Sequence, residues 1–157
     1  MKNYEILALM NSGLMQATAY ELGPESAYKL YKFKKLVQKA FEKLQEDERD
    51  LLKNAGIEDG ASFDARRTEL AKIENPTEEE KKELDEMGEK LKKYISLREA
   101  LYTDDVDISG VKSLSYEDWF KLKKENRAVK INDKETDVFS GAIESVLEGV
   151  LWTAPEE

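Results

Sequence analysis

The chain has 157 residues, 38% of them charged and 40% hydrophobic, with a formal net charge of −9. It contains no cysteine and no histidine, which excludes disulfides, thiolate nucleophiles, imidazole general bases and the usual zinc ligands. One domain's worth of sequence this rich in charge folds only if its apolar residues fall on stripes, and they do.

Asn3 is the expected N-cap of a first helix, with Leu7, Met10, Leu14 and Ala17 on one face. Asn11, Ser12 and Gly13 interrupt that face, so two short helices are as consistent as one. The apolar run Ile6 to Met10 is preceded by Glu5 and is too short for a signal peptide or a membrane span. The expected location is the cytoplasm.

The best-defined stretch runs from Pro24 to Ala55. Leu30, Val37, Leu44 and Leu51 recur at heptad spacing, with Ala27, Phe33, Ala40, Phe41 and Leu52 beside them, which predicts a helix of about 48 Å. Pro24 suits a first helical turn, and Gly56 suits the left-handed residue just past a last one. The charge order is unusual. Lys29, Lys32, Lys34, Lys35 and Lys39 come first, and Glu42, Glu46, Asp47, Glu48 and Asp50 follow. The helix dipole favours the reverse by about 0.3–1 kcal/mol per charge near a terminus. Two readings follow: a solvated face paired with acids on a neighbouring helix, or a basic docking patch of Lys29, Lys32, Lys35 and Lys39.

Residues 56–62 form a Gly-containing turn, and Phe63, Arg67, Leu70 and Ile73 predict a short helix closed at Asn75-Pro76. Asn75 is then the expected cap of a second long helix reaching about Tyr102, with Glu78, Glu79 and Glu80 in its first turn. Its stripe is Leu84, Met87, Leu91, Tyr94, Ile95, Arg98 and Leu101. Two long helices with matched stripes predict an antiparallel hairpin. The charge-rich run TEEEKKELDEMGEKLKK of the second helix reads as the solvated face of that hairpin, with pairs such as Glu78–Lys82 and Glu86–Lys90. Glu80, Glu83, Glu86 and Glu89 also have the three-residue spacing of helical metal ligands, but with lysines between them.

Beyond the hairpin, Asp105, Asp107 and Ser109 alternate with Val106 and Ile108, the period of an edge strand with outward acids. The same residues open a calcium-loop pattern, making Asp105, Asp107 and Ser109 a weak metal candidate. Tyr116 stands where a bidentate Glu is required and Lys112 where the loop is apolar. No cofactor is expected. Ser115 with Asp118 predicts a capping box for a helix from Tyr116 to Asn126 carrying Trp119, Phe120 and Leu122. Trp119 and Phe120 are both expected in the core, and exposure of either would mark a partner site. Val129 and Ile131 permit a second strand pairing with Val106 to Ile108. A final helix carries Phe139, Ile143, Val146, Leu147, Val150 and Leu151, capped by Asp133 or Thr136 and ending near Trp152 and Pro155. It either closes the core or forms an interface.

The expected fold is therefore mainly α: a long antiparallel helical hairpin with short flanking helices and room for a small two-stranded β element near residues 105–131. It is read as one helical domain over residues 1–157, with residues 1–103 followed by an acidic subregion, 104–157, in which thirteen acids face seven bases.

The segments AYKLYKFKKL, ERDLLKNAGIEDG and VDISGVKSLSYEDW, in this order over about residues 4–125, resemble a family of small helical proteins encoded by tailed phages and prophages of Gram-positive and gut bacteria. Asp133 to Glu157 extends past the family's usual end. The resemblance implies a phage or prophage origin and brings no known activity and no catalytic residues.

Three classes of function fit. The first is a non-catalytic protein–protein interaction protein, such as a morphogenesis or chaperone factor, self-associating or not, with Trp119, Phe120, Val146 and Val150 as candidate contacts. The second is an acidic anti-defence inhibitor occupying the basic cleft of a host nuclease through Asp104, Asp105, Asp107 and Glu117. The third, a metal hydrolase built from helix carboxylates, is the weakest, since nothing buries them. Direct binding to nucleic acid is not expected from so acidic a chain, and neither is membrane binding.

Overall fold

A computed structural model describes residues 1–108, 110 and 113–154. The protein is mainly α, as its stripes predict. The elements are α1 (Asn3–Asn11), a 3₁₀ turn (Leu14–Gln16), α2 (Pro24–Asn54), α3 (Gly60–Ala71), α4 (Glu78–Thr103), α5 (Tyr116–Glu125), β1 (Val129–Ile131), β2 (Lys134–Thr136) and α6 (Gly141–Leu147). They form two compact units. One combines residues 1–42 with 105–157, the other is residues 43–104. Residues 105–157, which hold most of the acidic C-terminal segment, group by contact with the N-terminal residues.

In the first unit, Ile6 and Leu9 of α1, Leu30, Phe33 and Val37 of α2, and Trp119 and Leu122 of α5 meet in one apolar core. The inward face of α1 is Ile6 and Leu9 rather than Leu7 and Met10. Gly13 adopts a left-handed φ of 84° and resets the phase, so Leu14 and Ala17 reach the core from a different direction. A Cβ at Gly13 would stand 2.1 Å from Ile131 Cδ1, so the glycine also admits β1. Lys2, not Asn3, precedes the first turn of α1. Its N–H donates to Glu5 Oε2 at 2.6 Å, and Asn3 is buried.

β1 pairs antiparallel with β2, Val129 opposite Thr136 and Ile131 opposite Lys134. Asn132 and Asp133 turn the hairpin with φ of 50° and 61°, the tight two-residue connection whose twist suits paired strands. The small sheet therefore lies at residues 129–136, and the pairing of Val129–Ile131 with Val106–Ile108 does not form. A local hairpin closes a far shorter loop. Asp105 makes only an isolated bridge with Lys2. The final helix is shorter than its stripe suggests. Ser140 precedes it in place of Asp133 or Thr136, and after Leu147 the chain turns through Gly149, φ 76°. Leu114 N–H then bonds Leu151 O at 2.7 Å. Pro155 lies outside the described residues.

A single buried amide joins distant parts of this unit. Asn126 Oδ1 accepts from Thr18 N–H at 2.8 Å, while its Nδ2 donates to Thr18 O at 2.9 Å and Leu122 O at 2.8 Å. The side chain pairs with Thr18 as a neighbouring strand would.

The second unit is the antiparallel pairing of the second half of α2 with α4. Glu48 meets Arg98, and further along α2 Asn54 O accepts from Lys93 at 2.8 Å. Gly56, φ 79°, ends α2 as expected. Ile57 N–H returns to Leu52 O at 2.9 Å and Gly56 N–H to Lys53 O at 2.8 Å, satisfying carbonyls left open at the helix end. α4 is capped by Thr77 rather than Asn75. Thr77 Oγ1 accepts from Glu80 N–H at 3.2 Å, and Glu80 Oε2 accepts from Thr77 N–H at 2.7 Å, a reciprocal capping pair. On α4, Met87 is buried, whereas Ile95 faces solvent. The expected surface pairs are replaced by Lys81–Glu78 and Lys82–Glu86. Among the described residues, no helix is long and apolar enough to cross a membrane.

Candidate functional site

α5 carries the clearest division between buried and exposed aromatic groups. Ser115 Oγ accepts from Asp118 N–H at 3.2 Å, fixing the start of the helix. This sends Trp119 and Leu122 inward and Tyr116 and Phe120, one turn apart, outward. Trp119 is 1% exposed. Its ring stacks on Trp152 at 5.4 Å and 2°, meets Phe139 edge-on at 5.1 Å, and donates from Nε1 to Glu144 Oε1 at 3.3 Å. Glu144 also accepts from Lys123. Trp119 is therefore core and offers no surface to a partner. Phe120 is 60% exposed, against the expectation that both rings are buried. Val146 and Val150 are half-buried against the core, which leaves Phe120 as the free member of the expected four. The sequence reasoning missed Tyr116, which is 51% exposed and abuts Trp152 at 6.0 Å. The four-residue spacing of Tyr116 and Phe120 was the available signal.

The lysines of α2 divide into two kinds. Lys29 pairs with Glu25 at 3.2 Å. Lys34 turns inward and donates to Met15 O at 3.2 Å and Ala17 O at 2.5 Å, and burial lowers its pKa. Lys32 lies over the Tyr28 ring at 5.1 Å and Lys35 over Tyr31 at 5.8 Å, while the two exposed rings stack 6.2 Å apart. Lys39 is exposed. Among the described residues, no ion pair reaches Lys32, Lys35 or Lys39. Pairing with acids on a neighbouring helix does not occur for these three.

The expected acidic patch is interrupted by cations. Asp105 pairs with Lys2 at 2.9 Å, and this hydrogen bond and charge hold its carboxyl below the ordinary range. Glu117 pairs with Lys121 at 2.7 Å. Asp107 is exposed, and Asp104 closes the second unit. Of the weak metal candidate, Ser109 lies outside the described residues, and Asp105 is held by Lys2. Among the described residues, no three carboxylates converge as metal ligands would. On α4, Glu83 grips Arg66 through two contacts of 2.8 Å, and Glu89 pairs with Lys92 at 2.8 Å.

The second unit holds a cluster that the sequence did not reveal. Glu48 accepts from Arg98 Nε at 2.6 Å, Tyr94 OH at 2.9 Å and Tyr102 OH at 3.3 Å. Burial alone would raise its pKa, but the bonds from Arg98 and Tyr94 outweigh burial and lower it. Burial and the bond to Glu48 raise that of Tyr94. Glu48 and Tyr94 border an open groove of about 450 Å³ with Gln45, Arg49 and Leu52. A carboxylate with three donors is a helix clamp, since its lone pairs are already committed.

No protein family, curated protein or solved structure matches the chain.

Proposed function

We propose that the chain is a non-catalytic protein–protein interaction protein of phage or prophage type, acting in a role such as assembly or chaperoning. Its contact surface is the Tyr116–Phe120 ridge of α5. The observation that carries this reading is Phe120, a large apolar ring 60% exposed beside an efficiently buried aromatic stack. Aromatic side chains held on a rigid helix supply much of the binding energy of protein interfaces. The α4 carboxylates with metal-ligand spacing, Glu80, Glu83, Glu86 and Glu89, are each engaged by a cation or a donor, which supports a binding role. The interrupted acidic patch gives the anti-defence reading less support.

The test is affinity capture from an infected host lysate with the wild-type chain and with Phe120→Glu. The expected outcome is a partner retained by the first and reduced at least about tenfold with the second, a loss of about 1.4 kcal/mol or more. Tryptophan fluorescence, which reports the core beneath, should be unchanged by the substitution. Equal capture of the same proteins by both chains would remove the ridge from the function.

A further inference from the structure

The outward face of α2 carries an unexplained charge pattern. Between Glu25 and Glu42 the helix has five lysines and no acid, and beyond Lys43 acids dominate. At 3.6 residues per turn, Tyr28, Tyr31, Lys35, Lys39, Glu42, Glu46, Asp50 and Lys53 fall within about 100° of one another on the helix surface. All eight are exposed. Leu30, Phe33, Val37 and Leu44 occupy the opposite side and are buried. The exposed stripe therefore follows α2 and has no covering chain among the described residues.

We propose that this stripe is an isologous dimer interface, in which α2 of a second copy lies antiparallel across the first. A two-fold axis passing between Ala40 and Phe41 sets Lys39 against Glu42 of the other copy and Lys35 against Glu46. Each pair occurs twice, as two-fold symmetry requires. The same register sets the Tyr31 hydroxyl against Asp50 and the Tyr28 ring against Lys53, a cation–π geometry. Lys32 against Arg49 is the one unfavourable match, and Arg49 Nε is drawn back onto Gln45 O at 3.2 Å.

Two observations choose this occupant over others. A charge order that opposes the helix's own dipole is complementary to an antiparallel copy of itself, whose dipole is also opposed. A nucleic acid has no such fit. Its phosphates continue past the roughly 17 Å from Tyr28 to Lys39 and meet Glu25 and Glu42 at the two ends. Lys35, Lys39 and Glu46 have no ion-pair partner within the chain among the described residues, so the Lys39–Glu42 and Lys35–Glu46 matches break no existing ion pair, and Asp50 and Lys53, 3.8 Å apart on the same helix, are exposed and open to a second contact. The α5 ridge plays no part, and the two proposals fail separately.

Sedimentation equilibrium of the full chain decides the matter, with the 18.0 kDa monomer mass as reference. The wild type should approach twice that mass at high micromolar concentration. Lys35→Glu/Lys39→Glu should be monomeric, because like charges then face each other at every pair. Glu42→Lys/Glu46→Lys should be monomeric for the same reason. An equimolar mixture of the two variants should recover the dimer, since all four pairs are again opposite in sign. All four side chains are exposed, so helix content by circular dichroism should not change. A wild type that stays monomeric overturns the proposal, as does a dimer that both variants leave intact or a mixture that fails to reassociate. A monomer whose binding of oligothymidylate is lost in the lysine variant would assign the stripe to nucleic acid instead.

Discussion

The two units are both helical, yet different forces hold them. In the first, the Trp119–Trp152–Phe139 stack and the leucines around it bury a continuous apolar core, and the buried amide of Asn126 is fully bonded. In the second, Leu44, Ala55, Ile57, Leu70 and Met87 are buried, and much of the remaining order comes from polar contacts. These are the Thr77–Glu80 cap, the Gly56 turn, the Arg66–Glu83 fork and the Glu48 clamp. Apolar burial depends on area and is indifferent to protonation. A clamp made by one carboxylate is present only while that carboxylate is charged. Acid should therefore weaken the second unit through Glu48, whereas the apolar core of the first is indifferent to protonation and only its rim pairs, such as Lys2–Asp105, respond.

The largest effect should come from Trp119→Ala, which removes the centre of the stack and leaves a cavity. The cost expected for such a deletion is about 3–5 kcal/mol. Urea titration followed by Trp152 fluorescence measures it in the first unit alone, because both tryptophans, Trp119 and Trp152, lie there. Circular dichroism of the same samples should keep a helical fraction from the second unit. Loss of both signals at one urea concentration would show that the units unfold together and would break the comparison.

Next in size is Asn126→Ala, which removes the partner of both the N–H and the carbonyl of half-buried Thr18, while Leu122 O keeps its bond from the backbone N–H of residue 126 at 3.1 Å. About 2–3 kcal/mol of destabilisation should follow, visible in the same fluorescence transition. Asn126→Asp should cost at least as much, because it keeps an acceptor for Thr18 N–H but sets a carboxylate against two carbonyl oxygens. A milder effect of aspartate would mean that the amide donors contribute nothing.

The helices were legible in the sequence because their information is periodic and local. Heptad leucines define α2 and α4, Gly56 marks the end of α2, and Ser115 marks the start of α5. Boundaries failed where two residues competed for one task. Thr77 with Glu80 took the cap in place of Asn75, although Asn75 has Glu78 at the same spacing, and Asn132-Asp133 closed a hairpin that a search for alternating apolar residues assigned to a distant strand. The fate of each aromatic group depends on rotation about α5 and on Trp152 from the far end of the chain, so Trp119 and Phe120 could not be told apart by type. The Glu48 clamp was equally hidden. Its members are a surface-like acid on one helix and Tyr94, Arg98 and Tyr102 on another, and only the register between the helices brings them together.

That clamp supplies the finest test of the difference between the units. The folded pKa of Glu48 lies below its ordinary value of 4.5, so the unfolded chain binds this proton more readily than the folded one. Its stabilising contribution is complete above the ordinary value and is lost as pH falls through 4.5 toward the depressed folded value. Glu48→Gln keeps an acceptor for Tyr94 but removes the charge facing Arg98. At neutral pH it should cost about 1–2 kcal/mol, reduced from a fully buried pair because Arg98 is half-exposed. The variant and the wild type should then converge in stability as pH falls below 4.5, because protonation makes the wild type neutral at the same position. Thermal melts followed by circular dichroism at several pH values, read beside the tryptophan signal that belongs to the first unit, measure this. A difference between the two chains that stays constant across the acid range would mean that shape, not charge, makes the clamp. The tryptophan-reported transition of the first unit should keep the same wild-type and variant values throughout.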